Sequence, residues 1–290
     1  MQFLYGEFAK EIPENFAPPE AWEDFGTVMY PPKICAREEV PGGIRWSLWP
    51  LTFEQYIGDE EPDLELSKKA GALARNRVAA WRRVRGRQTK PGGWMQFSKK
   101  PWRIDGYHKL ESGDYLTAWQ KNARRDARLW REALDTLYAM EEIPLEEFKS
   151  AYFKSTVAKK FGTSLLDVFE RKMELPQVLA QVKLWGARNL KTKAIIAGTA
   201  AHYSAKNRSS VRECPFILPE ARQTFAMTGL VDHWFAHSQK NGTELLLFTC
   251  FWQKGEPRGW QGFSEFKSHF GLQYVAYPPL LMRFIPGKFF

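Results

Sequence analysis

Apolar residues near the end of the chain follow two kinds of spacing, which predict a strand, a short helix and a second strand. Residues 245–252 form a mainly apolar run, which is too short to cross a membrane and is typical of a buried strand. A loop with three Gly and one Pro follows. Phe263, Phe266 and Phe270 then recur at helical spacing, and residues 272–277 return to an apolar run.

Lys267 follows Phe266 in this short helix, so its side chain is expected to point away from the packed aromatic face. The helix is expected to lie at the C-terminal end of a buried strand. A lysine held there can meet a negative charge that develops during a reaction. The other interpretation is a surface lysine on an amphipathic turn.

The chain before this region contains further apolar segments, which predict two strands and a helix. Residues 178–185 and 193–203 predict two strands, residues 205–210 a polar turn, and residues 219–241 a helix that stops before Gly242. From residue 178 onward the predicted order is therefore strand, strand, helix, strand, short helix and strand.

The first 175 residues predict short strands and several basic helices. The strands are expected at 25–30, 44–49 and 102–107, and the helices at 66–84, 115–140, 145–160 and 165–173. Asp114 is a suitable N-cap for the helix that follows it. The helices at 66–84 and 115–140 carry many Arg and Lys, which can be a solvated face or a phosphate-binding surface.

The Phe266-Lys267-Ser-His-Phe270-Gly271 segment resembles the C-terminal signature of the FemABX-type branch of the GNAT-like acyltransferases, the aminoacyl-tRNA-dependent peptidyltransferases. The resemblance extends over about residues 102–285. It includes Tyr203, the Ser209-Ser210 pair and the basic stretch 119–128. Thr249 stands where the family often has Asp.

The resemblance implies an α+β fold, with a GNAT-like mixed sheet, flanking helices and two lobes of which the N-terminal one is shortened. The expected divisions are a divergent N-terminal lobe or arm at 1–112, a basic helical block at 113–175 and a C-terminal GNAT-like lobe at 176–290.

The resemblance also implies a site. Lys267 would steady the ester carbonyl of an aminoacyl-tRNA, and Phe266 would hold the terminal adenosine or pack the lysine stem. Tyr203 is a candidate general base by residue type, as are Tyr274 and Glu265, although a protein base is not compulsory. The expected phosphate- and substrate-binding residues are Arg124, Arg125, Arg128, Ser209 and Ser210.

The net charge of +9 and the pI near 9.4 favour nucleic acid, anionic lipid surfaces or phosphorylated substrates as partners, or indicate a cationic surface without a partner. The three cysteines are scattered, which favours a reducing compartment. No apolar stretch is long enough to span a membrane, and the N-terminus does not resemble a secretory signal. A cytoplasmic location is expected.

Metal and cofactor motifs are weak. His233 and His237 are four residues apart, but Trp234 stands where a metalloprotease would place Glu, so ordinary helix-face histidines are expected. Cys214 and Cys250 are expected to be buried. The sequence has no phosphate loop and no dinucleotide fingerprint, and neither a metal nor a bound cofactor is expected.

The leading hypothesis is an acyltransferase that moves an amino acid from aminoacyl-tRNA to an amine of a UDP- or lipid-linked peptidoglycan precursor, with peripheral contact to an anionic membrane as a further option. Two alternatives stay open. One is a GNAT-like N-acyltransferase that uses acetyl- or acyl-CoA. The other is a non-catalytic RNA-binding protein on the same scaffold.

Overall fold

The computed structural model describes residues 8–22, 37–40, 43–48, 51–65, 76–85, 91–162, 164–174 and 176–287. The strands in chain order are β1 (Arg37–Val40), β2 (Gly43–Leu48), β3 (Leu51–Ile57), β4 (Asn76–Arg82), β5 (Met95–Gln96), β6 (Ile104–Lys109), β7 (Tyr138–Glu142), β8 (Val182–Asn189), β9 (Ile195–Ser204), β10 (Ser209–Ile217), β11 (Leu245–Phe248), β12 (Gln273–Ala276) and β13 (Leu281–Ile285).

The α-helices in chain order are α1 (Lys121–Ala133), α2 (Leu145–Lys154), α3 (Thr156–Phe161), α4 (Ser164–Met173), α5 (Pro176–Leu179), α6 (Ala226–Lys240) and α7 (Gln261–Lys267). Short 3-10 turns precede α1, α6 and α7, and another follows α7. The predicted strand at 25–30 and residues 66–75 of a predicted helix lie outside the described residues.

The chain divides into two compact units. The larger consists of Met1–Phe16 and Asp105–Val275, and the smaller of Ala17–Ile104 and Ala276–Phe290. The helical block expected at 113–175 therefore belongs to the same unit as the strands that follow it. The last strand, β13, pairs with β4 and β5 in the sheet of the smaller unit, although residues 176–290 were expected to form one lobe.

The larger unit is built on a seven-stranded sheet in the order β12-β6-β11-β10-β9-β8-β7. Helix α6 packs against β8, β9 and β10 on one face. On the other face, α2, α3 and α4 cover an apolar cluster that includes Phe148, Phe169 and Phe216. This burial on both faces explains why β9 is buried along almost its whole length.

The smaller unit contains a six-stranded sheet in the order β1-β2-β3-β4-β13-β5. Strands β3 and β4 are parallel and alternate between buried and half-buried positions. The helix predicted at 66–84 is therefore wrong over β4. Buried Arg77, which forms an ion pair with buried Glu54, occupies one of the inward positions, so its charge concealed the period of two in the sequence.

The helix predicted at 115–140 is shorter than expected. The carboxylate of Asp114 accepts a hydrogen bond from the backbone N–H of Leu116, so the predicted N-cap is confirmed, but it caps a 3-10 turn. Helix α1 follows and ends at Ala133, and β7 then joins the edge of the sheet. The helix predicted at 145–160 is interrupted at Ser155, whose hydroxyl caps α3.

The largest omission of the sequence prediction is β10. Residues 205–210 were expected to form a polar turn and residues 219–241 a helix, with no strand between them. Ser209 and Ser210 instead begin β10 and are almost fully buried. Polar residues at the start of the strand and a bulge between Glu213 and Phe216 remove the alternation that would have predicted it.

Candidate active site

The pairing of β10 with β11 stops before β10 ends, and we call this point the opening of the sheet. They are parallel and pair from Ser209 with Leu245 to Val211 with Leu247. Beyond that point β10 continues to Ile217 with only β9 beside it, and β11 ends at Phe248. In the described chain, the residues of β10 after Val211 therefore have no pairing strand on the side of β11.

Lys267 lies on the β11 side of this opening. Its Nζ donates hydrogen bonds to the backbone carbonyl oxygens of Thr249 at 2.7 Å and Cys250 at 3.0 Å. The same ammonium lies 4.6 Å from the centroid of the buried Phe251 ring. The lysine expected to point away from the core is thus half-buried and held by three contacts, which place a fixed positive charge directly after β11.

The backbone that holds Lys267 is itself held by buried polar side chains. The N–H of Cys250 donates a 2.7 Å hydrogen bond to the carboxylate of Asp105, which is 1% exposed. The N–H of Trp252 donates a 2.7 Å bond to the hydroxyl of buried Ser264 in α7. These bonds lock the segment after β11 to both β6 and α7, so the two carbonyl oxygens that receive Lys267 are fixed.

Cys250 adopts a left-handed backbone conformation, with φ of 59°. This turn brings the carbonyl groups of residues 249 and 250 toward one ammonium. Its side chain is exposed, so the expectation that Cys250 is buried is wrong, whereas Cys214 is buried as expected. The exposure follows from the turn, because the chain leaves the sheet at this residue.

Phe266 connects Lys267 to a second cation. Its ring packs edge-on against buried Phe270, with 5.0 Å between centroids, and this contact anchors the end of α7. The guanidinium carbon of Arg212 lies 5.8 Å from the centroid of the same ring. Arg212 is the first residue of β10 after the last parallel pair. Phe266 therefore lies beside Arg212 and directly precedes Lys267.

Arg212 is buried with few polar contacts. It is 9% exposed, and its Nε donates a 3.1 Å hydrogen bond to the hydroxyl of Thr199 on β9. Burial lowers the pKa of Arg212 to about 9, so the group remains cationic at neutral pH. The sequence interpretation missed Arg212 because it missed β10. The signal available in the sequence was an arginine placed between Val211 and the apolar residues at the end of the same strand, β10.

Tyr203, one of three candidate bases by residue type, lies on β9 in a different cluster. Its ring contacts Trp185 and His237, and its phenol oxygen accepts a 3.5 Å hydrogen bond from the hydroxyl of Ser238 in α6. Burial raises the pKa of the Tyr203 phenol well above its ordinary value. The phenol therefore keeps its proton at neutral pH and is suited to donating a hydrogen bond.

Ser209 and Ser210 already have structural partners. The hydroxyl of Ser209 donates to the backbone carbonyl of Asn207 at 2.9 Å. The hydroxyl of Ser210 accepts a 2.9 Å bond from the indole N–H of Trp234 in α6. These contacts anchor the start of β10 and α6, and both side chains are almost fully buried.

The basic helix α1 starts next to the turn that follows Lys267. The backbone N–H of Gln120, the N-cap of α1, donates a 2.9 Å hydrogen bond to the carbonyl of His269. The three predicted arginines differ in environment. Arg124 is half-buried, Arg128 is exposed, and exposed Arg125 forms an ion pair with neighbouring Asp126 at 2.9 Å. The helix thus presents exposed positive charge along its outer side.

His233 and His237 pack with aromatic rings. The ring centroid of Trp185 lies 4.9 Å from that of His233 and 5.2 Å from that of His237. Burial is the largest cause that lowers the pKa of each imidazole. Within the described ranges, no three His, Cys, Asp or Glu side chains are grouped as metal ligands. Nor does any described helix have the length and apolar character of a membrane span.

No protein-family model matches the sequence, and no curated protein matches it. Solved structures do match the fold. The crystal structure of FemX gives a TM-score of 0.63 at 9% identity, with 84% of each chain covered. The L-PGS structure from Bacillus licheniformis gives 0.54 at 11% identity, with 86% of this chain and 83% of that chain covered.

A third match is the C-terminal domain of a protein described as a lysylphosphatidylglycerol synthetase from Agrobacterium fabrum. Its TM-score is 0.53 at 13% identity, with 86% of this chain and 83% of that chain covered. At these identities the likeness establishes the fold. The predicted α+β, GNAT-like fold class is confirmed, and the fold is similar to that of FemX.

Proposed function

We propose that this protein is an acyltransferase that moves an aminoacyl group from aminoacyl-tRNA to an amine of a peptidoglycan precursor. The observation that carries the proposal is the Lys267 ammonium, held on two backbone carbonyls at the opening between β10 and β11. A fixed cation at such an opening has the form of an oxyanion stabiliser. The fold shared with FemX supports the same class of chemistry.

The proposed reaction begins when the acceptor amine attacks the carbonyl carbon of the aminoacyl ester. A C–N bond forms and the carbonyl oxygen becomes an oxyanion, which Lys267 stabilises. The ester C–O bond then breaks, and the ribose oxygen leaves with a proton that came from the amine. Removing one such stabilising group costs about 10²- to 10³-fold in turnover.

Proton transfer does not require a charged protein base in this scheme. The phenol of Tyr203 keeps its proton, because burial raises its pKa. Tyr203 would therefore act as a hydrogen-bond donor that positions a substrate, and substrate groups or water would carry the proton. This role replaces the general base that residue type alone suggested.

The basic face of α1 would bind the phosphates of the donor. Arg128 is exposed and Arg124 is half-buried on a helix whose N-cap is bonded to the turn after Lys267. Guanidinium groups are suited to phosphate oxygens. Ser209 and Ser210 are better explained as supports for β10, given their bonds to Asn207 and Trp234.

The decisive experiment compares Lys267→Met with Lys240→Met, which removes an exposed lysine at the end of α6. Transfer of a labelled amino acid from aminoacyl-tRNA to UDP-linked and lipid-linked precursors is measured for each. Turnover should fall by about 10²-fold or more in Lys267→Met and stay near the unmodified value in the control. Equal turnover in the two variants would remove the role of Lys267.

Thermal stabilisation separates this proposal from the other donors. The unmodified protein is heated with aminoacyl-tRNA, with a UDP-linked pentapeptide and with CoA in separate samples. Stabilisation by the first two supports the proposal. Stabilisation by CoA alone would assign an acyl-CoA donor. RNA binding with a steep salt dependence and no transfer would indicate a binding protein without this activity.

A further inference from the structure

Arg212 occupies a place where a β-strand would normally continue to pair. Its neighbour Val211 is the last residue of β10 that pairs with β11. On the other side β9 still pairs, with Ala201 opposite Arg212. The guanidinium therefore lies at the opening of the sheet, on the face that also carries Thr199 and the ring of Phe266.

The contacts of Arg212 do not balance its charge. Thr199 offers a neutral hydroxyl to Nε, and Phe266 offers a ring at 5.8 Å. In the part of the chain that the structure describes, no carboxylate forms an ion pair with Arg212, and its two terminal amino groups donate no hydrogen bond. Burial of a charge without a counterion costs free energy, and most buried arginines are paired for that reason.

Three of the other buried arginines in the described chain show the usual solution. Arg45 and Arg77 are 2% and 3% exposed and share the carboxylate of Glu54, at 3.0 Å and 3.1 Å. Arg103 pairs with Glu20 at 2.7 Å. Arg212 differs from all three, since its surroundings supply a hydroxyl and an aromatic ring in place of a carboxylate.

We propose that Arg212 binds an oxyanionic group of the substrate, a carboxylate or a phosphate, through its two terminal amino groups. The two amino groups form a planar fork that matches two oxygens of such an anion. The bond from Nε to Thr199 fixes the plane of the fork, and Phe266 supports it on one side. Because Arg212 contacts Phe266, the bound anion would lie close to the reacting ester beside Lys267.

This inference rests on the proposed function, because that function makes the bound anion part of a substrate. Its test measures anion binding and does not require aminoacyl transfer. Binding of two simple probes, inorganic phosphate and acetate, is measured by isothermal titration and thermal shift at constant ionic strength, with chloride as the reference salt. Four proteins are compared, namely the unmodified chain and the variants Arg212→Met, Arg212→Lys and Arg222→Met. Arg222 is an exposed arginine outside the site and serves as the matched control.

The unmodified protein and Arg222→Met should bind at least one probe more strongly than chloride, and the preferred probe identifies the anion. Arg212→Met should bind that probe at least about tenfold more weakly, since charge-assisted hydrogen bonds are lost. Arg212→Lys should keep part of the affinity, because it retains the charge but not the fork. Without the anion, Arg212→Met should melt at the same temperature as the unmodified protein or higher, because an unbalanced buried charge has been removed.

Two results would overturn the inference. One is the absence of binding beyond chloride in the unmodified protein, and the other is unchanged binding in Arg212→Met. If Arg212→Met fails to fold, the comparison of Arg212→Lys with Arg222→Met gives the same decision. Lys267→Met separates this inference from the proposed function, since loss of transfer with normal anion binding supports both, and normal transfer in that variant contradicts only the proposed function.

Discussion

Lys267 and Thr249 are joined by a 2.7 Å hydrogen bond from the lysine ammonium to the backbone carbonyl oxygen of the threonine. The contact does not involve the threonine side chain. Thr249 is the position at which the family that this segment resembles often has Asp. The structure shows that the backbone at this position holds the lysine, whatever the side chain is.

Thr249→Ala should therefore preserve the site. The variant keeps the carbonyl oxygen that receives Lys267 and removes only a half-buried hydroxyl that makes no hydrogen bond to the described residues. Transfer should stay within about threefold of the unmodified protein, since surface or half-buried changes away from key contacts have small effects. A loss as large as that expected for Lys267→Met would mean that the hydroxyl takes part in the reaction.

Replacing Asp105 should lower both stability and turnover, although Asp105 is far from Lys267 in the sequence. Its carboxylate accepts the 2.7 Å bond from the N–H of Cys250, so Asp105→Ala leaves this buried bond unmade and releases the turn that orients Lys267. The free energy of unfolding should fall by about 1–3 kcal/mol, and turnover should fall as well.

The matched variant is Asp105→Asn, which retains an oxygen that can accept the bond. Urea denaturation and the transfer assay are run on both variants. Asn should recover most of the turnover that Ala loses. If Ala and Asn are equally impaired, the negative charge of Asp105 is what the site needs, and the hydrogen bond to Cys250 is secondary.

Gly271 should not tolerate a side chain. It has φ of +64°, and a Cβ there would lie 2.5 Å from the carbonyl oxygen of Ala118, which belongs to the 3-10 turn before α1. Gly271→Ala combines backbone strain with this clash, so the free energy of unfolding should fall by about 2 kcal/mol or more. Chemical denaturation measures the change.

Gly262→Ala is the control for this prediction. Gly262 lies in α7, where a Cβ would meet nothing within 4 Å, and alanine is the better helix former. This variant should be neutral or more stable by up to about 1 kcal/mol. Equal destabilisation of both variants would show that the turn after α7 is not held against Ala118 in solution.

His233 should make stability depend on pH. Burial lowers the pKa of its imidazole, neighbouring His237 lowers it further, and Asp232 opposes the shift. The folded protein therefore binds this proton less readily than the unfolded chain, whose histidine has a pKa of about 6.5. The contribution is fully present above about pH 6.5 and is lost as the pH falls from there toward the lowered pKa.

His233→Phe tests this dependence, because it keeps a ring against Trp185 and removes the titrating group. The free energy of unfolding is measured by urea at pH 7.5 and pH 5.5 for both proteins. The unmodified protein should lose more stability between the two values than the variant does. Equal losses would indicate that His233 is solvated in the folded protein, or that His237 with its neighbours Lys183, Glu142 and Lys240 carries the whole effect.

Much of the larger unit could be predicted where periodicity was strong. The predicted strand at 193–203 corresponds to β9, the helix around Phe225 to Trp234 corresponds to α6, and Phe266 and Phe270 do pack together. Polar residues in buried positions caused the failures. Because Arg77 is buried, β4 was predicted as part of a helix. Because Ser209 and Ser210 are buried, the start of β10 was predicted as a turn.

The sequence by itself predicted the basic helix α1 from the local spacing of apolar and charged residues, and the family resemblance predicted the α+β fold class and made Lys267 a candidate site residue. Only the tertiary structure decided what surrounds Lys267. The carbonyls of Thr249 and Cys250 follow β11, the carboxylate of Asp105 comes from β6, and the guanidinium of Arg212, next to Phe266, comes from β10. These segments are far apart in the chain. Pairing of β6 with β11 and of β11 with β10 brings them together, and burial, which no local pattern specifies, gives Arg212 an unbalanced charge.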